Sequence, residues 1–367
     1  MPRTRARLPS DSLQPDEGAA FVRGLEGSPE TGQGLLDTGS VVGYLTRRGL
    51  LAKDGAETPA KLTELGGGVS SVVLLVEMGG DRFVVKQPRK QLLVKDEWLA
   101  NPERALREAG ALRFTHDLTA GAVPMLFDVD AETCTLTMAA APAAWRPWKD
   151  LLLEGTVDPS TGRGLGKLLG DWHLSSSHAL AQLTGLDDLD VFDQLRIEPF
   201  HRTVASRHPE LAPRITCAIE SLVKRPGRCL VHGDFSPKNV LVGEEGLWVI
   251  DFEVAHVGNP VFDVAFLLAH LILKSVHQPG LANAYRGCAA EFLEGYEDGA
   301  GSEFMPSDES LALHVGCLLL ARVDGKSPAD YLTMSERARA WDLGSGYLHH
   351  PVNLLSSWPS SERELSR

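Results

Sequence analysis

One segment in the second half of the chain places two carboxylates and an amide at fixed positions among short apolar runs. Residues 231–242 have the sequence VHGDFSPKNVLV, and residues 248–253 have WVIDFE. Asp234 precedes Asn239 by five residues on a predicted loop between two short strands, and Asp251 ends the next apolar strand. Phosphoryl transfer needs a carboxylate that orients the attacking hydroxyl, and oxygen ligands that hold Mg²⁺ on nucleotide phosphates. The spacing therefore indicates phosphoryl-transfer chemistry.

Three features upstream fit the same chemistry, which also needs a loop over the phosphates, a lysine on a strand and an acid that holds this lysine. The run Gly66-Gly67-Gly68-Val69-Ser70-Ser71 precedes a predicted two-stranded hairpin and partly fits the pattern GxGxxG. Lys86 ends the second strand of this hairpin. Glu108, on the next predicted helix, is the expected partner of Lys86, and Glu97 and Glu103 are the alternatives.

Together these features resemble the aminoglycoside phosphotransferase and choline kinase family, which has the protein-kinase-like fold. The resemblance extends from about Ser40 to Leu332. It is nearest to methylthioribose-kinase-like members in two places, Val85–Ala109 and Phe262–Leu273. It implies an α+β, bilobal fold with a small antiparallel-sheet N-lobe containing one key helix, and a larger, mostly helical C-lobe.

Composition and periodicity divide the chain into three parts. Residues 1–36 are rich in Gly, Ser, Pro and charge and are expected to form a disordered tail. Residues 37–140 are expected to form the nucleotide-binding N-lobe, and residues 141–367 the C-lobe with the catalytic loop, metal site and acceptor site. Predicted strands are Val72–Val76, Arg82–Lys86, Met125–Asp130, Thr135–Met138 and Cys229–Val231, and predicted long helices are Pro102–Asp117, Gly164–Leu174, Phe262–Lys274, Ala282–Tyr296 and Ser310–Val323.

The resemblance also implies a role for each matching side chain. Asp234 is expected to be the catalytic base. Asn239 and Asp251 are expected to hold Mg²⁺, with Glu253 at the same metal site, where protein kinases have the glycine of D-F-G. The expected nucleotide-binding residues are Gly66, Gly67, Gly68, Ser70, Ser71, Lys86, Glu108 and Met138.

Two basic residues each have two possible interpretations. Lys238 either neutralises charge near the transferred phosphate, and so counts with the catalytic residues, or is a solvated loop lysine. Arg322 either contacts the substrate or complements the dipole at a helix C-terminus. His232 and Asp263 are expected to hold the catalytic loop through backbone hydrogen bonds, and His173 is expected to pack in the interior.

The composition of the chain limits the classes of partner that we expect it to bind. The chain has 36 Lys and Arg against 49 Asp and Glu, a formal net charge of −13, which disfavours general binding to nucleic acid or to anionic membranes. Five cysteines without a C-x-x-C pair fit a reducing compartment, and no apolar run reaches the length of a transmembrane helix. We therefore expect a cytoplasmic protein with no nucleic-acid or membrane partner; the oligomeric state stays open.

The expected function is transfer of the γ-phosphoryl group of ATP or GTP, with Mg²⁺, to a hydroxyl of a small polar acceptor such as a sugar, nucleoside or aminoglycoside-like compound. The alternatives are an aminoglycoside or other antibiotic resistance kinase, a protein kinase, and a non-catalytic nucleotide-binding pseudokinase. Residues 162–168, GRGLGKL, superficially suggest a phosphate-binding P-loop, but Leu168 stands where that loop requires Ser or Thr.

Overall fold

A computed structural model describes residues 34–51, 59–66, 70–92, 99–224 and 228–359 of the protein. Residues 1–33 of the predicted tail, and Glu97, lie outside the described residues, as do Gly67 and Gly68 of the predicted phosphate loop. The described chain begins beside the N-terminal sheet, where Leu36 N donates a hydrogen bond of 2.8 Å to Gln87 Oε1.

A five-stranded antiparallel sheet forms the N-terminal part of the structure. Its strands follow the spatial order β1-β2-β3-β5-β4. The turn between β2 and β3 uses Gly79 and Gly80 with φ of 61° and 94°, which the predicted hairpin requires of a tight turn. The elements are α1 (Val41–Arg47), β1 (Lys61–Glu64), β2 (Ser71–Met78), β3 (Asp81–Pro88), α2 (Arg104–Leu118), β4 (Leu126–Asp130) and β5 (Thr135–Ala139).

The remainder is mostly helical and contains two small antiparallel sheets, β6-β8-β9 and β7-β10. The strands are β6 (Arg146–Pro147), β7 (Cys229–Val231), β8 (Val240–Gly243), β9 (Gly246–Val249) and β10 (His256–Gly258). The helices are α3 (Trp148–Leu153), α4 (Pro159–Ser177), α5 (Asp190–Phe192), α6 (Thr203–Arg207), α7 (Ala212–Val223), α8 (Val261–His277), α9 (Ala282–Ala300), α10 (Asp308–Asp324) and α11 (Met334–His349). Their apolar faces and those of α2 and β5 form one hydrophobic core.

The sequence patterns located most of these elements, but not the π-helix Asp193–Arg202 between α5 and α6. Pro199 lies inside this helix and has no backbone N–H to donate to an α-helical partner. The π-helical turns, whose hydrogen bonds join residues five apart, accommodate this proline. Such π-helical segments are frequent at functional sites. The π-helix directs Arg196 into the protein interior, where its side chain is 9% exposed.

Glycines allow α4 and α9 to pack backbone against backbone. A Cβ added to Gly162, Gly166 or Gly170 would lie 2.5, 2.0 or 2.6 Å from a carbonyl oxygen of α9. Since real Cβ atoms do not approach so closely, only glycine fits at these positions. The spacing that suggested a P-loop therefore serves helix packing. This packing brings His173 of α4 within 2.9 Å of the Tyr296 hydroxyl on α9.

Among the described residues, no single helix has the length and hydropathy needed to cross a membrane; α8 and the segment Pro279–Ala300 meet that criterion only jointly, as a pair bent by 119°.

Gly166→Ala is expected to lower the free energy of unfolding by about 1–3 kcal/mol, because the added methyl group overpacks the α4–α9 contact. Gly164→Ala is the matched control, since its Cβ would meet only Leu247 Cδ2 at 3.7 Å, and it should be neutral or stabilising by about 0.4–1 kcal/mol. Urea unfolding of both variants measures the difference. Equal effects of the two substitutions would contradict close backbone packing at Gly166.

Candidate active site

Lys86 connects the N-terminal sheet to the segment that follows β9. Its ammonium group donates to both carboxylate oxygens of Glu108, at 2.9 and 2.7 Å, and lies 2.5 Å from Asp251 Oδ1. Lys86 and Glu108 are almost fully buried. The structure thus brings the predicted Lys86–Glu108 pair together and adds Asp251 to it.

The charges of this triad compensate for its burial. Burial opposes a charged ammonium, but Asp251 and Glu108 outweigh it and raise the pKa of Lys86. Burial raises the pKa of Glu108 to about 7, although Lys86 acts in the opposite direction. Burial also acts to raise the pKa of Asp251, but Lys86 and Lys238 outweigh it and hold that pKa below its ordinary value. The Asp251 carboxylate is therefore ionised at neutral pH and can act as an oxygen ligand for a cation.

The backbone at Asp251 is left-handed, with φ of 72°. Asparagine and aspartate are enriched among the few non-glycine residues that adopt this conformation. Backbone strain of this kind persists where the surrounding structure fixes it, and it clusters at functional sites. Here the contact with Lys86 fixes the Asp251 side chain.

Three donors converge on one oxygen of the Asp234 carboxylate. Arg196 Nη2, Lys238 Nζ and Asn239 Nδ2 lie 3.1, 2.8 and 2.9 Å from Asp234 Oδ2. Burial opposes ionisation, but the charges of Arg196 and Lys238 outweigh it and lower the pKa of Asp234. Within the described part of the chain, Oδ1 accepts no hydrogen bond. The carboxylate is ionised and held in place, with one oxygen available to a ligand.

Arg196 is a site residue that sequence reasoning missed. Besides its contact with Asp234, its Nε donates a 2.6 Å hydrogen bond to Gly233 O. The guanidinium lies 5.5 Å from the ring centroid of Phe200 and 5.8 Å from that of Phe266. In the sequence, Arg196 appears only as a basic residue within a helical segment. Such a residue is usually a solvated side chain, so nothing marked it as part of the site.

The predicted catalytic loop, residues 232–239, is held by side chains that accept hydrogen bonds from its backbone N–H groups. Asp263 accepts from His232 N at 2.6 Å and from Gly233 N at 2.9 Å. Gly233 has φ of 76°, and a Cβ there would lie 2.7 Å from Val254 O, so glycine is required. The expected loop-holding role of Asp263 is confirmed by these contacts, and His173 is buried beside it, with Nε2 3.4 Å from Asp263 Oδ2.

His232 also holds the loop, as expected. Its Nδ1 accepts a hydrogen bond from Asp234 N at 3.1 Å, and its Nε2 lies 3.1 Å from Ile250 O. Because Nδ1 accepts, Nε2 carries the proton that is donated to Ile250. Burial lowers the pKa of His232, which keeps the ring neutral. The imidazole therefore joins the loop of Asp234 to the strand end before Asp251.

Glu253 forms a second ion pair between the two parts of the molecule. Its Oε2 accepts a 3.0 Å hydrogen bond from Arg104 Nε, and Arg104 is fully buried. Arg104 Nη2 donates to Ser70 O at 2.6 Å and to Arg89 O at 2.9 Å. Arg104 therefore connects the end of the glycine-rich segment to Glu253. The structure thus pairs Glu253 with a cation, and its assignment to the metal site stays a prediction.

The other predicted residues lie at different places. Gly66 ends one described segment and Ser70 begins the next, while Ser71 is buried at the start of β2 with an unpartnered hydroxyl. Met138 lies on β5 and is 6% exposed, within the hydrophobic core. Arg322, in the last turn of α10, donates from Nη1 to the backbone and side-chain oxygens of Ser327.

The donors at the loop suit Mg²⁺. Asp251 offers an ionised carboxylate, and Asn239 uses its amide nitrogen toward Asp234, which leaves its Oδ1 for a ligand. Mg²⁺ is usually bound by one or two protein oxygens together with substrate phosphates. A site made by Asn239 Oδ1, an oxygen of Asp251 and phosphate oxygens has this composition. In the described residues no cluster of three or more His, Cys, Asp or Glu is arranged to hold a metal ion.

A family model described as "Phosphotransferase enzyme family" matches residues 61–314. The chain belongs to this family. Among its relatives, methylthioribose kinase of Enterobacter sp. (strain 638) is 24% identical over 256 residues, covering 62% of this chain and 64% of the relative. Methylthioribose kinase 2 of Oryza sativa subsp. japonica is 24% identical over 277 residues, covering 68% and 65%. The match thus spans less than two thirds of the length of either relative.

Solved structures of the same fold include choline kinase from Cryptosporidium parvum Iowa II, with a TM-score of 0.57, 14% identity, and coverage of 88% of this chain and 97% of that one. Amicoumacin kinase hAmiN in complex with AMP-PNP, Ca²⁺ and Ami has a TM-score of 0.54, 14% identity, and coverage of 88% and 96%. The expected α+β, protein-kinase-like fold is confirmed.

Glu253→Gln is expected to destabilise the protein by about 3–5 kcal/mol, because it leaves the buried Arg104 without its counter-charge. Arg104→Met should cost a similar amount, and the double variant less than the sum of the two. Thermal unfolding of the three variants measures this coupling. If the effects simply add, the ion pair has no stabilising role. A metal role for Glu253 predicts instead that Glu253→Gln raises the Mg²⁺ requirement of nucleotide binding while Arg104→Met does not.

Proposed function

We propose that the protein is a small-molecule kinase that transfers the γ-phosphoryl group of ATP to a hydroxyl of a small acceptor. The observation that carries this proposal is that the Asp234 carboxylate and a triad of charged side chains lie close together where the two lobes meet. Asp234, with a free oxygen, lies on the loop that also supplies Asn239, and the Lys86–Glu108–Asp251 triad lies beside that loop through the His232–Ile250 contact. Phosphoryl transfer depends mainly on such positioning and electrostatic stabilisation.

Each group has a defined part in the reaction. Lys86, oriented by Glu108, binds the α- and β-phosphates of the nucleotide. Asn239 and Asp251 hold Mg²⁺, which when bound neutralises charge that develops on the phosphate oxygens. Ser70 and Ser71, at the edge of the glycine-rich segment, lie on the sheet side of the phosphates.

Asp234 Oδ1 accepts a hydrogen bond from the acceptor hydroxyl. The hydroxyl oxygen attacks the γ-phosphorus as the bond from phosphorus to the β-γ bridging oxygen breaks, and the hydroxyl proton passes to Asp234. Because the pKa of Asp234 is low, proton transfer accompanies formation of the new P–O bond rather than preceding it. We propose that Lys238, 2.8 Å from Asp234 Oδ2, neutralises charge in the transition state.

ATP is the proposed donor. AMP-PNP, bound in amicoumacin kinase, is an ATP analogue. The methylthioribose kinase relatives make pentose derivatives an informative first class of acceptor.

Asp234→Asn is expected to lower acceptor-dependent ATP consumption by about 10²–10⁴-fold, because general-base contributions are of this size, while nucleotide affinity changes little. Asp171→Asn, an exposed carboxylate paired with Lys167 on α4, is the control and should keep full turnover. Coupled assays of ADP release and titration with a fluorescent ATP analogue measure the two quantities. Undiminished turnover in Asp234→Asn would contradict the assignment, and nucleotide binding without turnover of any acceptor would favour a pseudokinase.

A further inference from the structure

One face of α8 carries three side chains, the first of which lies next to the arginine that pairs with the proposed catalytic base. Phe266, His270 and Lys274 follow one another at intervals of four residues, so they lie on the same side of the helix. The Phe266 ring contacts the guanidinium of Arg196, which pairs with Asp234. The His270 ring is 5.2 Å from that of Phe266. From Phe266 to Lys274 the helix rises ~12 Å.

Lys274 is a buried lysine without a counter-charge. Its side chain is 1% exposed, and its ammonium lies 5.6 Å from the centroid of the Tyr331 ring. Throughout the described ranges, no carboxylate pairs with Lys274 and no acceptor takes a hydrogen bond from its Nζ. Burying an unpaired charge is costly unless a ligand compensates it. Burial, with Lys149 and Arg322 nearby, lowers the pKa of Lys274 to about 7.

Two more polar atoms beside Lys274 have no partner. Arg322 Nε and the Tyr331 hydroxyl oxygen are buried and make no hydrogen bond to any residue that the structure describes. The charge of Arg322 interacts with those of Asp234 and Arg196 and also with that of Lys274, so it lies within electrostatic range of both Asp234 and Lys274. Unpartnered donors from α8, α10 and the segment after α10 therefore converge on one region.

Positive charge is concentrated in this region although the chain carries a net charge of −13. Burial and the charges of Lys274, Arg322, Lys238 and Lys149 together lower the pKa of His270 well below its ordinary value. The carboxylates that act on Arg322 and Tyr331 are Asp234, Asp330 and Glu336. Asp234 is bound to Arg196, Glu336 is bound to His277 and to the N-terminus of α11, and Asp330 is exposed.

We infer that the acceptor carries an anionic group, a phosphate or a carboxylate, that binds to Lys274 and Arg322 while its hydroxyl faces Asp234. This inference rests on the proposed kinase function and names the class of its acceptor. The anion supplies the counter-charge that Lys274 lacks and accepts hydrogen bonds from Arg322 Nε and from the Tyr331 hydroxyl. A cationic acceptor such as an aminoglycoside meets repulsion at the same place.

The first test is anion binding, with inorganic phosphate as the probe and a saturating non-hydrolysable ATP analogue present to fill the nucleotide site. Phosphate is expected to raise the Tm of the wild-type protein but not of Lys274→Met, which keeps the length of the side chain and removes its charge. Without phosphate, Lys274→Met should be at least as stable as the wild type, because it removes a buried unpaired charge. Lys167→Met, at an exposed lysine of α4, is the control and should respond to phosphate like the wild type. An equal response of Lys274→Met and the wild type would overturn the inference.

The second test is turnover with matched acceptors, sugar phosphates and hydroxycarboxylates against neutral sugars and aminoglycosides. An anionic acceptor should be used best, and Lys274→Met should raise its KM about 10-fold or more while the KM for ATP is unchanged. A preference for phosphates over carboxylates, or the reverse, identifies the anion. Asp234-dependent turnover only of neutral or cationic acceptors would overturn the inference and leave the kinase proposal intact. Lys274-dependent phosphate binding without nucleotide binding or turnover would overturn the kinase proposal, and the acceptor role with it.

Discussion

The site depends on a buried ammonium that holds carboxylates from two parts of the molecule. Lys86 lies between Glu108 on α2 and Asp251 after β9, at 2.7 and 2.5 Å. Without this cation the buried carboxylate of Glu108 and the partly buried carboxylate of Asp251 would repel each other, and Asp251 would lose the contact that accompanies its left-handed backbone. A second cation, Arg104 of α2, pairs in the same way with Glu253, which follows Asp251 by two residues. Both acids of the segment Asp251–Glu253 are thus bound to cations of the N-terminal lobe, which fixes that segment against the sheet.

The loop that carries Asp234 is fixed in a different way, by backbone hydrogen bonds to buried side chains. Asp263 and His232 hold its N–H groups, while Arg196, Lys238 and Asn239 hold the carboxylate of Asp234. Arg196 and Lys238 also depress the pKa of Asp234. Because α8 carries Asp263 near its start and Lys274 near its end, one helix links the loop of Asp234 to the region where we propose that the acceptor's anion binds.

The sequence predicted the parts of the site that local spacing encodes. Cys229–Val231 has the bounds expected from its apolar run. Lys86 and Glu108 meet because β3 and the next helix along the chain pack together, although β3 continues to Pro88, two residues beyond the strand end predicted at Lys86. Arg104 and Arg196 escaped prediction, since their partners Glu253 and Asp234 lie 149 and 38 residues away and no periodicity links such pairs. The glycines of α4 and the unpaired state of Lys274 likewise follow from tertiary packing, which a pattern along one helix does not reveal.

The measurement that tests the account most directly is an experimental structure of the full chain with Mg²⁺ and a non-hydrolysable ATP analogue. The account predicts a metal ion ~2.1 Å from an oxygen of Asp251 and from Asn239 Oδ1. It also predicts that Lys86 contacts the α- and β-phosphates and that the γ-phosphate faces Asp234. A nucleotide bound elsewhere, or a metal ion that contacts neither Asp251 nor Asn239, would contradict it.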